Sequence, residues 1–368
     1  MKITFAIKSV CCVRGGAERV LVDISKEFVD KGYDVSLLTF DKPKSTPVYD
    51  FNPNIRQCFM GLGQVDRPST FIEAIRRVLA LRKVIKAERP DVVIAFMHSM
   101  FVPLSFALAG TGIPVVASEH IVPAHYHGRK VEFFLLCLSA LFVKKITVLS
   151  NDVKKSYPKF LQKKMVAVAN PVKRARQYKN YAVSGEAPKK ILNVGRLTDQ
   201  KNQKLLITAF SLIVEKYPDW SLQIIGEGEL RNELQCLIER LGLQERVMLF
   251  GATNDIESAY LDADIFAMSS DYESFGLALV EAMGHGLPVI GFADCPGVNE
   301  LIKHNENGLL ISADGRVDNF SKGLEVLMRS EELREKMGRK GIETAIQFAP
   351  EIISVQWEAL LSDFSDSH

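Results

Sequence analysis

The strongest constraint on this chain is an alternation that starts twice. Short apolar runs at residues 3–7, 35–40, 92–96, 115–118 and 146–149 are separated by longer helical patterns, among them 17–31 and a basic amphipathic stretch at 71–88. After a small-residue segment with proline at 182–188, the alternation begins again at 190–194. It continues at 222–225, 247–250, 265–268 and 288–291. Runs of this length, spaced by helix-sized segments, predict parallel sheets covered by crossover helices. Two such series predict two Rossmann-like domains, each able to bind a ligand at the carboxyl ends of its strands.

A length of 368 residues suits two domains of ordinary size. With 47% hydrophobic and 24% charged residues, the chain can bury two cores. The apolar stretch at 131–143 is too short to cross a bilayer. Its six cysteines form no C-x-x-C pair, and no signal sequence precedes the first strand, so a reducing cytoplasm is the expected location. Charge is divided unevenly. Residues 1–170 carry 25 Lys and Arg against 14 Asp and Glu, a net +11, and the remainder carries −9. A basic first half suits a phosphorylated acceptor or an anionic membrane surface, with Arg76, Arg77, Arg82, Lys83, Lys144 and Lys145 as the contacting cations. No nucleic-acid partner is expected.

Three segments carry chemistry. Arg14-Gly15-Gly16-Ala17-Glu18 falls between a predicted strand and helix, where paired glycines and unsatisfied helix amides suit a phosphate. An ordinary tight turn explains the same letters. The adjacent glycines do not fit the G-x-G-x-x-G spacing of dinucleotide enzymes. Directly after the first strand of the second series, Gly195-Arg196-Leu197-Thr198-Asp199-Gln200-Lys201-Asn202 places two cations five residues apart, a spacing that can serve one diphosphate. A solvated loop is the plainer reading of a lone Arg/Lys pair. The third segment runs from Glu273 through Phe275, Gly276 and Leu277 to Glu281, with Glu281 expected about two turns inside a helix. Two carboxylates so placed can divide sugar contacts from ribose contacts; an acidic helix start or a glycosidase pair reads the same spacing differently.

Taken together these segments resemble family 4 of the glycosyltransferases, in particular bacterial members that build surface polysaccharides and lipid-linked glycans. The elements stand in family order: Gly15-Gly16-Ala17-Glu18, Glu119-His120, Gly195-Arg196-Leu197 with Lys201-Asn202, Glu273 with Glu281, and Gly286-Leu287-Pro288-Val289-Ile290. The resemblance implies the GT-B fold, two facing Rossmann-like domains. It implies an acceptor-side domain at 1–170 and a nucleotide-sugar donor domain at 183–350, with a terminal helix at about 351–368 returning to the first. It assigns Arg196 and Lys201 to the donor diphosphate, Glu273 to the transferred sugar and Glu281 to the ribose. Backbone amides around Phe275, Gly276 and Leu277 assist, and Gly15 and Gly16 approach the phosphate. His120 becomes the cleft histidine beside the sugar.

The implied activity is retaining transfer of a hexose or N-acetylhexosamine from a nucleotide-diphosphate sugar, UDP preferred and GDP open, to a glycan or polyprenyl-linked acceptor. No cofactor and no metal are expected. A histidine at a strand end also hydrogen-bonds backbone as a purely structural group, and His125 and His127 nearby admit a metal reading. The segment 294–301 departs from the family's usual Cys-Pro-x-Gly-Pro form, so Glu300 receives no role. A nucleotide-sugar epimerase and a non-enzymatic nucleotide-sugar sensor remain open alternatives.

Overall fold

The computed structural model describes residues 1–11, 15–63, 70–181 and 188–364. Arg14, residues 182–187 of the small-residue segment, and the last four residues lie outside them. The chain divides into two compact units, Met1–Pro171 with Pro350–His368, and Val172–Ala349.

The first unit runs β1 (Lys2–Ala6), α1 (Gly16–Asp30), β2 (Asp34–Thr39), β3 (Arg56–Phe59), α2 (Phe71–Glu88), β4 (Val92–Phe96), α3 (His98–Leu108), β5 (Val115–Ser118), α4 (Lys130–Ser139), β6 (Lys145–Val148), α5 (Asn151–Ser156), α6 (Lys159–Gln162) and β7 (Met165–Ala167). Its strands form one seven-stranded sheet in the order β3-β2-β1-β4-β5-β6-β7. Every strand pair is parallel. Strand β4 is buried at all of its residues. Burial on both faces is why residues 92–96 read as an unbroken apolar run and not as an alternation.

The second unit runs β8 (Lys189–Val194), α7 (Gln203–Ser211), β9 (Trp220–Ile225), α8 (Arg231–Arg240), β10 (Val247–Gly251), α9 (Ile256–Asp262), β11 (Ile265–Ala267), α10 (Leu277–Gly284), β12 (Val289–Phe292), β13 (Gly308–Ile311), α11 (Arg316–Arg329) and α12 (Glu331–Ile346). Its six-stranded sheet has the order β10-β9-β8-β11-β12-β13, again parallel throughout. The residues just before position 183 also belong to this unit. Lys179 pairs with Asp264 at 3.2 Å, and the Tyr181 hydroxyl donates to the Gly286 carbonyl at 3.0 Å.

A last helix, α13 (Pro350–Leu361), packs in the first unit. Lys31 on its α1 side meets Glu358 at 2.5 Å, and the Trp357 ring stacks on Phe96 of β4 with centroids 6.4 Å apart.

In both sheets strand order reverses direction beside the first strand, between β1 and β4 and between β8 and β11. At such a switch point the loops leaving neighbouring strands diverge and open a crevice at the strands' carboxyl ends. The second switch point is stitched by a side chain, since Asn193 Nδ2 donates to the Ala267 carbonyl at 2.7 Å.

Candidate active site

The loops that leave β8 and β11 carry the residues singled out in the second half of the sequence. Leaving β8, the chain passes through Gly195 and Arg196 into a short 3-10 turn, Asp199–Lys201. Asn202 then takes a left-handed conformation at φ 47, and its side-chain oxygen accepts the Leu205 amide to cap α7. This reversal carries Lys201 back toward the β11 loop. Asp271 N–H donates to the Gln200 carbonyl at 2.9 Å, and Gln200 Nε2 donates to the Tyr272 carbonyl at 2.8 Å, so the two loops are hydrogen-bonded together.

At their meeting point Lys201 Nζ lies 2.5 Å from Glu273 Oε1. The Ser270 hydroxyl donates to the same oxygen at 2.7 Å. Both serines before the carboxylate, Ser269 and Ser270, are buried, and Ser269 donates to the Lys201 carbonyl at 2.9 Å. Glu273 is itself buried, with the Lys201 ammonium and the Ser270 hydroxyl as the partners of its Oε1. Sequence reasoning separated Lys201 and Glu273 into a diphosphate contact and a sugar contact; the structure joins them as one ion pair.

Phe275 is buried against Phe348, and Gly276 caps α10 at φ 84, a left-handed conformation that favours glycine. Leu277 opens α10, so the first amides after Gly276 belong to a helix start, while those of Leu279 and Val280 donate to the Gly276 carbonyl at 3.0 and 3.2 Å. Glu281 lies about one turn inside α10, not two, because the helix starts only at Leu277. Its Oε2 accepts the Tyr260 hydroxyl at 2.8 Å, and Tyr260 in turn stacks on His285 with centroids 4.9 Å apart. Arg196 is exposed, and its side chain makes no hydrogen bond or ion pair with any described residue; its carbonyl accepts Gln203 Nε2 at 2.9 Å.

Four contributors received no role in the sequence reading. Ser270 and Tyr260 are single polar residues with no motif of their own. Gly297 shapes the Glu273 loop from below: at φ 77, a Cβ there would stand 2.6 Å from the Glu273 carbonyl oxygen and 2.8 Å from the Phe275 nitrogen. The odd 294–301 segment therefore matters through its backbone. Arg316, which pairs with Asp271 and Asp294 at 3.0 Å each, braces the same loops while lying over the Phe292 ring.

In the first unit, Gly15 caps α1 in extended backbone, φ −109. A Cβ there would meet only Glu18 Oε2, at 2.2 Å, the movable end of a flexible side chain, so neither space nor φ requires glycine at this position. Gly16 is the first residue of α1. His120 follows β5 and is buried; its Nε2 is 2.9 Å from Ser118 Oγ and its ring stacks on Phe96 with centroids 5.0 Å apart. Burial pushes its pKa down to about 3, which leaves a neutral imidazole. Among the described residues, no group of three or more His, Cys, Asp or Glu side chains could hold a metal ion. No described helix is long and apolar enough to cross a membrane.

The cations named for a membrane surface need correction. Arg77 is buried, lying over the Phe40 ring and donating to the Leu62 carbonyl at 3.2 Å. Arg82 donates to the carbonyls of Ala107 and Ala109 at 2.7 and 3.0 Å. Both serve the fold. Arg76, Lys83 and Lys144 are exposed, and Lys145 pairs with Asp363 at 3.5 Å.

Comparison with known proteins places this geometry. Residues 14–176 match the family model described as Glycosyltransferase Family 4, and residues 175–344 match that described as Glycosyl transferases group 1. An uncharacterized glycosyltransferase of Haemophilus influenzae is 28% identical over 98% of this chain and 99% of its own. A Campylobacter jejuni enzyme is 26% identical over the full length of both chains. It is named an alpha-1,4-N-acetyl-D-galactosaminyltransferase acting on a diphospho-undecaprenol-linked glycan. Among solved structures, sucrose-phosphate synthase of Thermosynechococcus elongatus superposes with a TM-score of 0.86 over both whole chains at 16% identity. Anabaena HepE, in complex with UDP and glucose, does so at 0.79 over 98% of this chain and 99% of that one, at 22% identity. The chain belongs to glycosyltransferase family 4 and is a glycosyltransferase with the two-domain GT-B fold.

Proposed function

We propose that this enzyme transfers a hexose or N-acetylhexosamine, with retention of anomeric configuration, from a UDP-sugar to a glycan carried on a polyprenyl diphosphate. The observation that carries this reading is the Lys201–Glu273–Ser270 cluster beside the start of α10, at the β8/β11 switch point. It combines a cation and helix amides suited to a diphosphate with a buried carboxylate suited to sugar hydroxyls. The Campylobacter relative's name supports the class of acceptor and an N-acetylhexosamine donor. The UDP held by HepE makes uridine the first base to test.

In the proposed reaction the acceptor hydroxyl oxygen bonds to the sugar's anomeric carbon on the face the diphosphate leaves. The bond from that carbon to the β-phosphate oxygen breaks, its electron pair stays on the oxygen, and that oxygen takes the acceptor's proton. No carboxylate nucleophile is needed. Arg196 and Lys201 stabilise the charge gathering on the departing diphosphate, and because they supply this countercharge, transfer is expected to persist in the presence of a chelator. Glu281 holds the ribose, Glu273 orients the sugar, and the neutral His120 donates to or accepts from the sugar.

The same reading puts the enzyme on the cytoplasmic face of a membrane. Support comes from α4, whose Val131, Phe134, Leu135 and Leu138 are exposed, as are Leu141 and Phe142 just after it. Exposed Arg129, Lys130 and Lys144 flank this ridge. Apolar side chains edged by cations suit the boundary of an anionic bilayer.

Calorimetry with UDP-, GDP- and ADP-sugars, followed by mass analysis of products formed with polyprenyl-diphosphate glycans, tests the proposal. A UDP-sugar that binds and extends the acceptor by one residue supports it. Binding without turnover across acceptors, or a rearranged free nucleotide sugar made without any acceptor, overturns it.

A further inference from the structure

The first unit contains a run of polar side chains that the transfer step does not use. Glu119 follows β5 and is fully buried. Its Oε1 accepts the Ile121 amide at 2.9 Å, and its Oε2 lies 2.9 Å from the Tyr126 hydroxyl. That hydroxyl is 3.0 Å from His98 Nδ1. The other ring nitrogen, His98 Nε2, faces Glu132 Oε2 at 3.6 Å, and this oxygen is buried without a hydrogen-bond partner. His98 is presented by Met97, whose φ of 67 is strained for a residue with a side chain.

The far end of this run decides where its protons sit. Burial pushes the His98 pKa down to about 4, so the ring carries a single N–H at neutral pH. If that hydrogen were on Nδ1, the Nε2 lone pair would face the covered Glu132 oxygen at 3.6 Å, two acceptors opposed with no proton between them. With the hydrogen on Nε2, the ring points it at Glu132, and Nδ1 must accept from Tyr126. The one Tyr126 proton is then spent on His98, so the remaining contact, Glu119 to Tyr126, needs its proton from Glu119.

We propose that Glu119 is held as a neutral acid whose hydroxyl heads a one-way relay through Tyr126 and His98 to Glu132, and that this relay positions the loop carrying His120. The positioning role rests on the reading of His120 as the residue beside the reacting sugar; the relay itself does not. Burial supports the neutral acid, since it pushes the Glu119 pKa up to about 8 against the opposing hydrogen bonds from the Ile121 and His120 amides. The ionisable groups around it do not restore the charge. His120 beside it and His98 beyond Tyr126 are neutral, and burial raises the hydroxyls of Tyr126 and Tyr157 far above their ordinary range. Tyr157, after α5, donates to the Ile121 carbonyl at 2.8 Å and closes the loop from the other side. Glu132 and Arg129, 3.6 Å apart, stand at the outer end on α4 and before it, and Cys137 on α4 stays a thiol, its pKa raised by burial.

Three measurements on the full chain test this. Nitrogen-15 NMR of the histidine rings is expected to show His98 as the Nε2–H tautomer; an Nδ1–H tautomer overturns the relay. Stability is expected to depend on pH through Glu119. Its folded-state pKa is raised above the unfolded one, so its contribution is complete below the ordinary carboxylate range and is lost as pH rises through about 8. Glu119→Gln keeps both hydrogen bonds and does not titrate. Relative to it, the folding equilibrium of the wild type is expected to fall roughly tenfold per pH unit between about 5 and 8. Parallel stability curves across that range overturn the neutral acid.

The last measurement addresses position. Tyr126→Phe is expected to shift the His120 ring resonances and to lower kcat about tenfold, with donor KM unchanged, whereas Glu119→Gln leaves both near wild type. Equal behaviour of the two variants overturns the positioning role. The NMR and stability measurements need no substrate, so an error in the transferase assignment leaves them decisive.

Discussion

Lys201 and Glu273, 72 residues apart in the chain, hold each other at 2.5 Å, with most of both side chains out of water. A donor diphosphate that reaches for Lys201 therefore draws it from a carboxylate already in place. Removing the lysine and removing the glutamate should have opposite effects on nucleotide binding. Lys201→Ala is expected to weaken UDP about tenfold or more, as loss of a charged hydrogen bond of about 1.5 to 3 kcal/mol implies. Glu273→Gln is expected to leave UDP affinity unchanged or tighter while transfer falls on the order of a hundredfold. Calorimetry with UDP alone, beside initial rates, measures both. Weaker UDP binding in Glu273→Gln contradicts the assignment. Arg196→Ala, which disturbs no described contact of that side chain, is expected to cost a comparable factor in rate with the fold intact.

Glu281 and Tyr260 form a second pair, at 2.8 Å, on the far side of the α10 start. The ribose is common to UDP and to every UDP-sugar. Glu281→Ala is thus expected to weaken both ligands alike, by roughly ten- to a hundredfold. Tyr260→Phe, which removes only the hydroxyl that steadies Oε2, is expected to cost a few-fold in the same two affinities. A Glu281→Ala variant that loses intact donor but not UDP places this carboxylate on the sugar instead.

Gly297 supplies a test of geometry alone. At φ 77 and against the Glu273 carbonyl, any side chain is both strained and crowded. Gly297→Ala is expected to destabilise the protein by about 1 to 3 kcal/mol, read as a lower Tm, and to reduce transfer more than UDP binding. Unchanged Tm and rate show that the loop adjusts freely and that the glycine does not shape the site.

The α4 ridge gives the membrane reading its own test. Binding to vesicles containing anionic lipid is expected to weaken with salt and to fall in Lys130→Glu/Lys144→Glu, each cation near the surface contributing about 1 kcal/mol. Phe134→Ser/Leu138→Ser is expected to reduce binding at all salt concentrations, because it removes buried apolar area. Equal sedimentation with neutral and anionic vesicles at low salt contradicts the account.

The alternation of apolar runs made both sheets legible, since fully buried parallel strands such as β4 leave an unbroken signature. Strand β3 left none: as an edge strand, Arg56–Phe59 has no fully buried residue and reads as polar chain. Strands β7 and β13, edge strands with half-buried residues, also escape the sequence reading, and α3, with Pro103 inside and apolar residues on most sides, hides its helical period. Within the site, motif spacing identified Lys201, Glu273 and Glu281 as residues of interest, but not their partners. The ion pair depends on Asn202 turning left-handed and on hydrogen bonds between two loops, which no local pattern encodes. The two cations expected on one diphosphate likewise differ in kind, one exposed and one already paired.

The most direct test of the central claim is the anomeric configuration of the product formed from an α-linked UDP-N-acetylhexosamine and a polyprenyl-diphosphate glycan, followed by NMR as the reaction proceeds. The account predicts an α-linkage in the first product to appear, with UDP released in equal amount. A β-linkage in that first product contradicts it.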